Sequence, residues 1–206
     1  MPYMRASSGI LRAYLRELLM KVLAINGSPR IGGNTELLLD RVLEGVHSRG
    51  VKGEKITLNK LDFCPCQECD NMRDDGTCIV EDDMQKLYEK IREADVVILA
   101  SPIFFGSLSA QTKMMIDRFQ CLWRAKYLLK KDVGYKRKKA AFISVEGSDR
   151  KDFFDNAKSI VRNLFATINA DYKEELFCPL VDKKANVLKR PDCLKKAFEL
   201  GVRLVT

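Results

Sequence analysis

Residues 21–35 read KVLAINGSPRIGGNT. Val22-Leu23-Ala24-Ile25 is a short apolar run of the kind that forms a strand buried on both faces. The chain breaks at Asn26-Gly27 and passes through Ser-Pro-Arg-Ile-Gly-Gly. From Thr35 it takes up a helical pattern whose apolar positions are Leu37, Leu38, Leu39, Val42 and Leu43. A strand, a glycine-bearing loop and a helix N-terminus make an anion site, because unpaired backbone N–H groups and the helix dipole point at one place.

What the loop lacks narrows the anion. Gly27 and Gly32 have the spacing of a nucleoside-triphosphate loop, but Gly33 and Asn34 stand where Lys and Ser/Thr would be needed. The pattern G-x-G-x-x-G is absent as well, which argues against a pyrophosphate across the helix end. The short donors Ser28, Asn34 and Thr35, with Arg30 as one cation, suit a single phosphate monoester. A plain βα turn, with Gly and Asn capping the helix, is the alternative.

The remaining chain alternates. Lys55–Leu58 reads as a second strand, 82–94 as a helix, and 95–100 as the most apolar strand, ending at Ser101-Pro102 because proline cannot continue a central ladder. A helix is expected from Ser109 to about Trp123, a strand over 140–145, a helix over 151–168, a strand near 172–178 and a terminal helix over 191–203. Such alternation predicts an α/β fold of three layers, α/β/α, around a doubly wound parallel sheet. Five strands fit the flavodoxin-like order 2-1-3-4-5, in which the loops after strands one and three face each other across a crevice.

Several function classes recede on composition. The 206 residues suit one domain with a substantial core, taken as 20–206, and no 18-residue apolar run exists to span a membrane. A single histidine, His47, speaks against a Ser-His-Asp hydrolase or a His-based metal site. The excess of Lys and Arg over Asp and Glu, 36 against 28, is diffuse apart from RAKYLLKKDVGYKRKK at 124–139. That run reads first as a solvated connection, next as a means of attracting an anionic cofactor, and last as a nucleic-acid face. Residues 1–19 read as an N-terminal helical extension with Leu11, Tyr14, Leu15 and Leu18 on one face, or as an early start ahead of Met20, in preference to a targeting signal, since a long apolar region and a small-residue cleavage site are missing. The expected location is the cytoplasm.

The second loop, Ser101-Pro102-Ile103-Phe104-Phe105-Gly106-Ser107, carries three large apolar side chains at a strand end. Loops seldom do so without something flat or apolar to pack on, be it a ring, the core or another subunit.

INGSPR-x-GGNT, followed by SPIFFGSLSAQTKMMIDR at 101–118, resembles the NAD(P)H-dependent FMN reductase and iron–sulfur flavoprotein group of flavodoxin-like proteins. The resemblance spans residues 20–200 with the motifs in order. It implies FMN, with its phosphate on Ser28, Arg30, Asn34 and Thr35 and its ring against Pro102, Ile103, Phe104, Phe105 and Gly106. Glu146 and Gly147 would close over the ribityl chain or ring edge. NADH or NADPH would be the donor, and a quinone, free flavin, nitro or azo compound or redox partner the acceptor. No catalytic side chain beyond the flavin is implied. A homodimer or homotetramer is expected, and Phe104, Phe105, Leu108 and Trp123 suit an interface. Lys113, Asp117 and Arg118 match the group's K-x-x-x-D-R helix and read as a helix-surface feature.

The cysteine segment LDFCPCQECDNMRDDGTC, 61–78, sets the competing reading, an electron carrier with a [4Fe–4S] cluster. The iron–sulfur flavoproteins carry C-x₂-C-x₂-C-x₄₋₇-C. Cys66, Cys69 and Cys78 match, Met72 occupies the third position, and Cys64 is the available stand-in. The ligand set would be Cys64, Cys66, Cys69 and Cys78, for a cluster or for zinc. The misplaced cysteine favours a reduced loop without metal. Cys121, Cys178 and Cys193 read as scattered packing residues rather than a disulfide framework.

Overall fold

The computed structural model describes residues 20–69 and 71–206, so the expected extension over 1–19 lies outside the described residues. Strands β1 (Val22–Asn26), β2 (Gly53–Thr57), β3 (Val96–Phe104), β5 (Lys138–Val145) and β6 (Ala170–Cys178) pair in the order β2-β1-β3-β5-β6, and every pair is parallel. A two-residue strand, β4 (Ser107–Leu108), turns back antiparallel on the end of β3. With β4 set aside this is the expected flavodoxin-like order.

Side-chain alternation along β1 divides the core. Val22 and Ala24 join Leu38, Leu39, Val42, Leu200 and Leu204 on the face covered by α1 (Asn34–His47) and, later in the chain, a terminal helix, Pro191–Val205. Leu23 and Ile25 join Leu87, Tyr88, Ile91, Phe119, Leu122, Phe154 and Phe165 on the other face. That face is covered by α2 (Met84–Glu93), α3 (Ala110–Asp117), α4 (Gln120–Trp123) and α5 (Lys151–Thr167); the terminal helix is α6.

Four details depart from the sequence reading. β3 does not stop at Ser101 but runs through Pro102, which lies opposite Val145. β1 ends at Asn26, opposite Ala100, so from Ser101 onward β3 is an edge on that side and tolerates a residue without an N–H. The helix expected to reach Trp123 breaks after Asp117, where the Arg118 carbonyl accepts the Tyr88 hydroxyl at 2.6 Å and the Cys121 thiol at 3.2 Å. The chain resumes as α4 and a π-helical turn, Arg124–Leu128. The basic run is only partly solvated. Val133, Tyr135 and Lys138 are buried, and burial with the nearby Lys136 charge pulls the Lys138 ammonium down to about 8. Finally, Cys178 at the end of β6 and Cys193 in the first turn of α6 form a disulfide, Cα atoms 6.1 Å apart. They stand 15 residues apart, and only the packing of α6 on the sheet brings them together.

α1 and α6 approach closely enough to exclude side chains. A Cβ at Gly45 would overlap the Phe198 carbonyl, and one at Gly201 would overlap the Val42 carbonyl. Replacing a mid-helix glycine by alanine ordinarily stabilises by about 1 kcal/mol. Here the sign inverts: Gly45→Ala and Gly201→Ala should each destabilise by about 1–3 kcal/mol, because two backbones must separate. Urea unfolding monitored by circular dichroism measures this, and an unchanged or raised midpoint would mean that the helices do not touch through these glycines.

Candidate functional site

The site is built where β1 and β3 diverge. Gly27, just past β1, donates its N–H to the Ala100 carbonyl at 2.8 Å and accepts the Ser109 hydroxyl on its own carbonyl at 2.6 Å. A Cβ there would overlap Thr112 Oγ1, so only glycine lets the loop lie flat on β3 and α3. Beneath it runs a buried hydroxyl network. Ser109 N–H donates to Ser101 Oγ (3.1 Å), Ser109 Oγ and Thr112 Oγ1 lie 2.9 Å apart, and Ser144 donates to the Ser101 carbonyl (2.7 Å). The loops after β1, β3 and β5 are thereby fixed to one floor. Nothing in the sequence flagged these serines, because their partners come from three separate segments.

The first loop closes on itself. Asn26 Oδ1 accepts the Ser28 N–H (3.1 Å), Ser28 Oγ accepts the Arg30 N–H (3.2 Å), and Glu36 accepts the Gly32 N–H (2.7 Å). The first intrahelical bond of α1 runs from Leu37 N–H to the Gly33 carbonyl at 3.0 Å. The N–H groups of Asn34, Thr35 and Glu36 precede it and have no helical carbonyl to reach. Gly33 occupies the N-cap and supplies no side-chain cap. An uncapped helix end of this kind presents N–H donors and the positive end of the helix dipole, the groups that an anion would meet there.

A cavity of about 110 Å³ opens in front of that helix end. Ser28, Arg30, Asn34, Thr35, Pro102, Ile103, Phe104, Glu146 and Gly147 line it, all singled out from sequence. Gly33, Val145, Val181 and Asp182 line it too and were not foreseen, the last two because they reach the site from the loop after β6. Larger grooves lie at the amino ends of β1 and β2 and between α1 and α6, away from this chemistry.

Three expected residues behave differently from the sequence reading. Phe105 has positive φ (50°) and projects fully into solvent, outside the cavity lining. Gly106 is also outside the lining; its own positive φ (74°) turns the chain back, and α5 holds that turn through Asn156, whose amide donates to the Gly106 carbonyl at 2.8 Å. Asn34 lines the cavity, but its side chain is already engaged. It donates to the carbonyls of Val181 and Lys183, both at 3.0 Å, and accepts the Val187 N–H at 3.1 Å. It braces the loop after β6 rather than offering a free amide to an anion.

The opposite wall is acidic. Glu146 follows β5, is 4% exposed, and accepts the Ser148 hydroxyl on Oε1, while Oε2 is buried without a partner among the described residues. An uncapped helix end, a glycine-enforced close approach and an unsatisfied buried carboxylate oxygen fit a phosphate-bearing ligand with polar groups further along its length.

The cysteine loop gives a different answer. Among the described residues no three or more His, Cys, Asp or Glu side chains converge closely enough to hold a metal ion. Cys66, Cys69 and Cys78 line one small cavity with Met72, Arg118 and Cys121, the last contributed by α4. Cys64 is not among that lining: Asp82 Oδ2 accepts its N–H (3.3 Å) and Arg118 donates to its carbonyl (2.9 Å). Cys121 is buried, which pushes its thiol up to about 11. As they stand these groups do not fit a four-thiolate cluster built on Cys64. Arg118, read from sequence as a surface residue, is instead 1% exposed and pairs with Asp82, its Nη2 lying 3.2 Å from Oδ1, because it anchors this loop to the start of α2.

Known proteins agree with this architecture. The chain is 38% identical over 129 residues to an iron–sulfur flavoprotein of Methanosarcina thermophila, covering 63% of this chain and 64% of that one. It is 41% identical over 115 residues to an iron–sulfur flavoprotein of Methanocaldococcus jannaschii, covering 56% and 59%. The chain thus spans about three fifths of the length of these relatives. Among solved structures, a flavone reductase superposes with a TM-score of 0.70 at 20% identity, over 90% of this chain and 62% of that chain, which is a likeness of fold. The family model for NADPH-dependent FMN reductase matches residues 20–170, and the chain belongs to that family.

Proposed function

We propose that this chain is an FMN-dependent oxidoreductase that takes hydride from NADH or NADPH and passes electrons to a quinone, a free flavin, a nitro or azo compound or a redox partner. The observation that carries this reading is the uncapped N-terminus of α1 facing Phe104 and Glu146 across one cavity at the β1/β3 switch point. When bound, FMN supplies the hydride-accepting and electron-donating chemistry. The chain's part is to bind, orient and exclude water. Ser28 and Thr35 offer hydroxyls and the α1 N–H groups offer donors to the phosphate. Arg30 lines the same cavity, steadied by its bond to the Asp182 carbonyl (3.2 Å), and adds a fixed cation. Phe104, 43% exposed, gives a flat apolar edge for a ring. The surplus of basic residues draws NADPH toward the site.

Replacing both Ser28 and Thr35 by Ala should leave a folded protein that purifies largely without flavin. Each lost bond to a charged group is worth about 1.5–3 kcal/mol. Fluorescence titration with FMN measures the loss; an affinity equal to that of the parent would reduce the 28–35 loop to a turn.

The electron-carrier reading draws support from the relatives in Methanosarcina thermophila and Methanocaldococcus jannaschii, both iron–sulfur flavoproteins. Met72 in the third cysteine position, and Cys64 tied to Arg118 and Asp82, weigh against a cluster here. A thioether is a poor replacement for thiolate at iron. Anaerobic preparations are therefore expected to contain FMN with little iron or acid-labile sulfide. Met72→Cys, reconstituted with iron and sulfide, should turn brown while the parent stays yellow. Stoichiometric iron and sulfide in the parent, lost on Cys64→Ser, would reverse this.

Self-association is part of the same proposal. Phe105 is fully exposed beside the half-exposed Phe104, and Trp123, Tyr127, Leu128 and Leu129 form a second exposed apolar group. Leu108, expected at an interface, is buried in the core instead. Light scattering should find a dimer or tetramer in the parent and smaller species in Phe105→Asp; a parent that is monomeric at every concentration would defeat the idea.

A further inference from the structure

Two buried charged residues keep a side-chain atom without a partner among the described residues, Arg118 at Nε and Glu146 at Oε2, and of these only Glu146 lines the cavity in front of α1. Its backbone is fixed by β6 and the loop that follows. Its N–H donates to the Cys178 carbonyl (3.2 Å), its carbonyl accepts the Val181 N–H (2.9 Å), and the Ser148 carbonyl accepts the Leu180 N–H (3.2 Å). The side chain lines the cavity, with Oε1 taking the Ser148 hydroxyl and Oε2 buried and unsatisfied among the described residues. A buried acceptor left unmatched is costly, and in native proteins such groups nearly always have a partner. The cations nearby have other partners: Arg150 forks onto Asp152 at 2.9 and 2.8 Å, and Arg30 donates to the Asp182 carbonyl.

Resting on the reading of the cavity as an FMN site, we infer that Glu146 Oε2 accepts a hydrogen bond from a neutral O–H or N–H donor of the cofactor. The phosphate is excluded as that partner, being itself an acceptor and an anion. Asp182 adds a second carboxylate to the same lining, so the cavity is polarised, N–H groups and Arg30 on one wall and carboxylates on the other. A ligand bearing a phosphate at one end and uncharged donors along the rest matches that polarity in one orientation only. In FMN two sources qualify, the ribityl hydroxyls and the imide N–H of the ring. Glu146 is on this account a positioning residue that reads the cofactor's direction in the cavity.

The test uses the full chain, stripped of flavin and titrated with FMN. Glu146→Leu removes both acceptor oxygens and should weaken FMN binding about 10- to 100-fold. Glu146→Gln keeps an acceptor oxygen for the cofactor, because the Ser148 hydroxyl can turn to accept from the new amide N–H, and most of the affinity should remain. A structural defect would not discriminate between the two variants in this way, and circular dichroism checks that each is folded. Lumiflavin, a ring without the ribityl chain, and riboflavin separate the sources. A loss with both assigns the ring imide, and a loss with riboflavin alone assigns the hydroxyls. Parental FMN affinity in Glu146→Leu, or a loss in Glu146→Gln as large as in Glu146→Leu, would overturn the inference. Failure of the parent to bind FMN at all would instead defeat the proposed function.

Discussion

The contact between Gly27 and the end of β3 is the constraint on which the rest of the site depends. Its N–H and carbonyl are both engaged, by Ala100 and Ser109, and the space a side chain would fill belongs to Thr112. This holds the first loop down on the sheet and directs the chain into α1 with its first N–H groups facing the crevice. The buried hydroxyls of Ser101, Ser109 and Ser144 then lock the loops after β3 and β5 to the same floor. Such a network rigidifies only when every member is satisfied, and bonds among Ser101, Ser109, Thr112 and Ser144 meet that condition. Two of the three walls of the cavity are therefore set before any ligand enters, and preorganisation of this kind lowers what binding costs.

The third wall comes from far along the chain and is attached by side chains of the first. Asn34 spends its amide on the carbonyls of Val181 and Lys183 and on the Val187 N–H. Arg30 adds its bond to Asp182. The loop after β6 is also held behind by the Cys178–Cys193 bridge, which fastens the end of β6 to the start of α6. α6 in turn is pressed against α1 through Gly45 and Gly201. The helix whose N-terminus faces the cavity and the segment after β6 thus belong to one packed unit, so the distance between the two walls is governed by α1–α6 packing.

The sequence revealed what local chemistry dictates. The βα loop at 26–35, the aromatic loop at 103–105 and the alternation of strands and helices were readable because each is a contiguous pattern with its own physical signature. Seven of the residues picked from the two loops line one cavity, together with Glu146 and Gly147, which the family resemblance implied. What escaped depends on partners distant in the chain. Pro102 looked like a strand end because nothing in the sequence says that β1 stops opposite Ala100. Arg118 looked like a surface charge because its partner Asp82 lies 36 residues away. Asn34 lies at the start of α1, yet its side chain bonds the loop after β6, since a short polar residue at a helix start is equally suited to an anion and to a neighbouring loop.

The cysteine loop is held in shape by polar anchors from neighbouring elements. Arg118 bridges the Cys64 carbonyl and both oxygens of Asp82, Asp82 accepts the Cys64 N–H, and Gln85 donates to the carbonyls of Cys78 (2.8 Å) and Val80 (2.6 Å). Every one of these anchors reaches the loop from α2, from the residues leading into it, or from Arg118 just past the end of α3. A buried guanidinium is tolerated here because carboxylate and carbonyl oxygens meet it on one edge. The backbone of this loop is thereby held by polar anchors alone, whatever the thiols of Cys66, Cys69 and Cys78 carry.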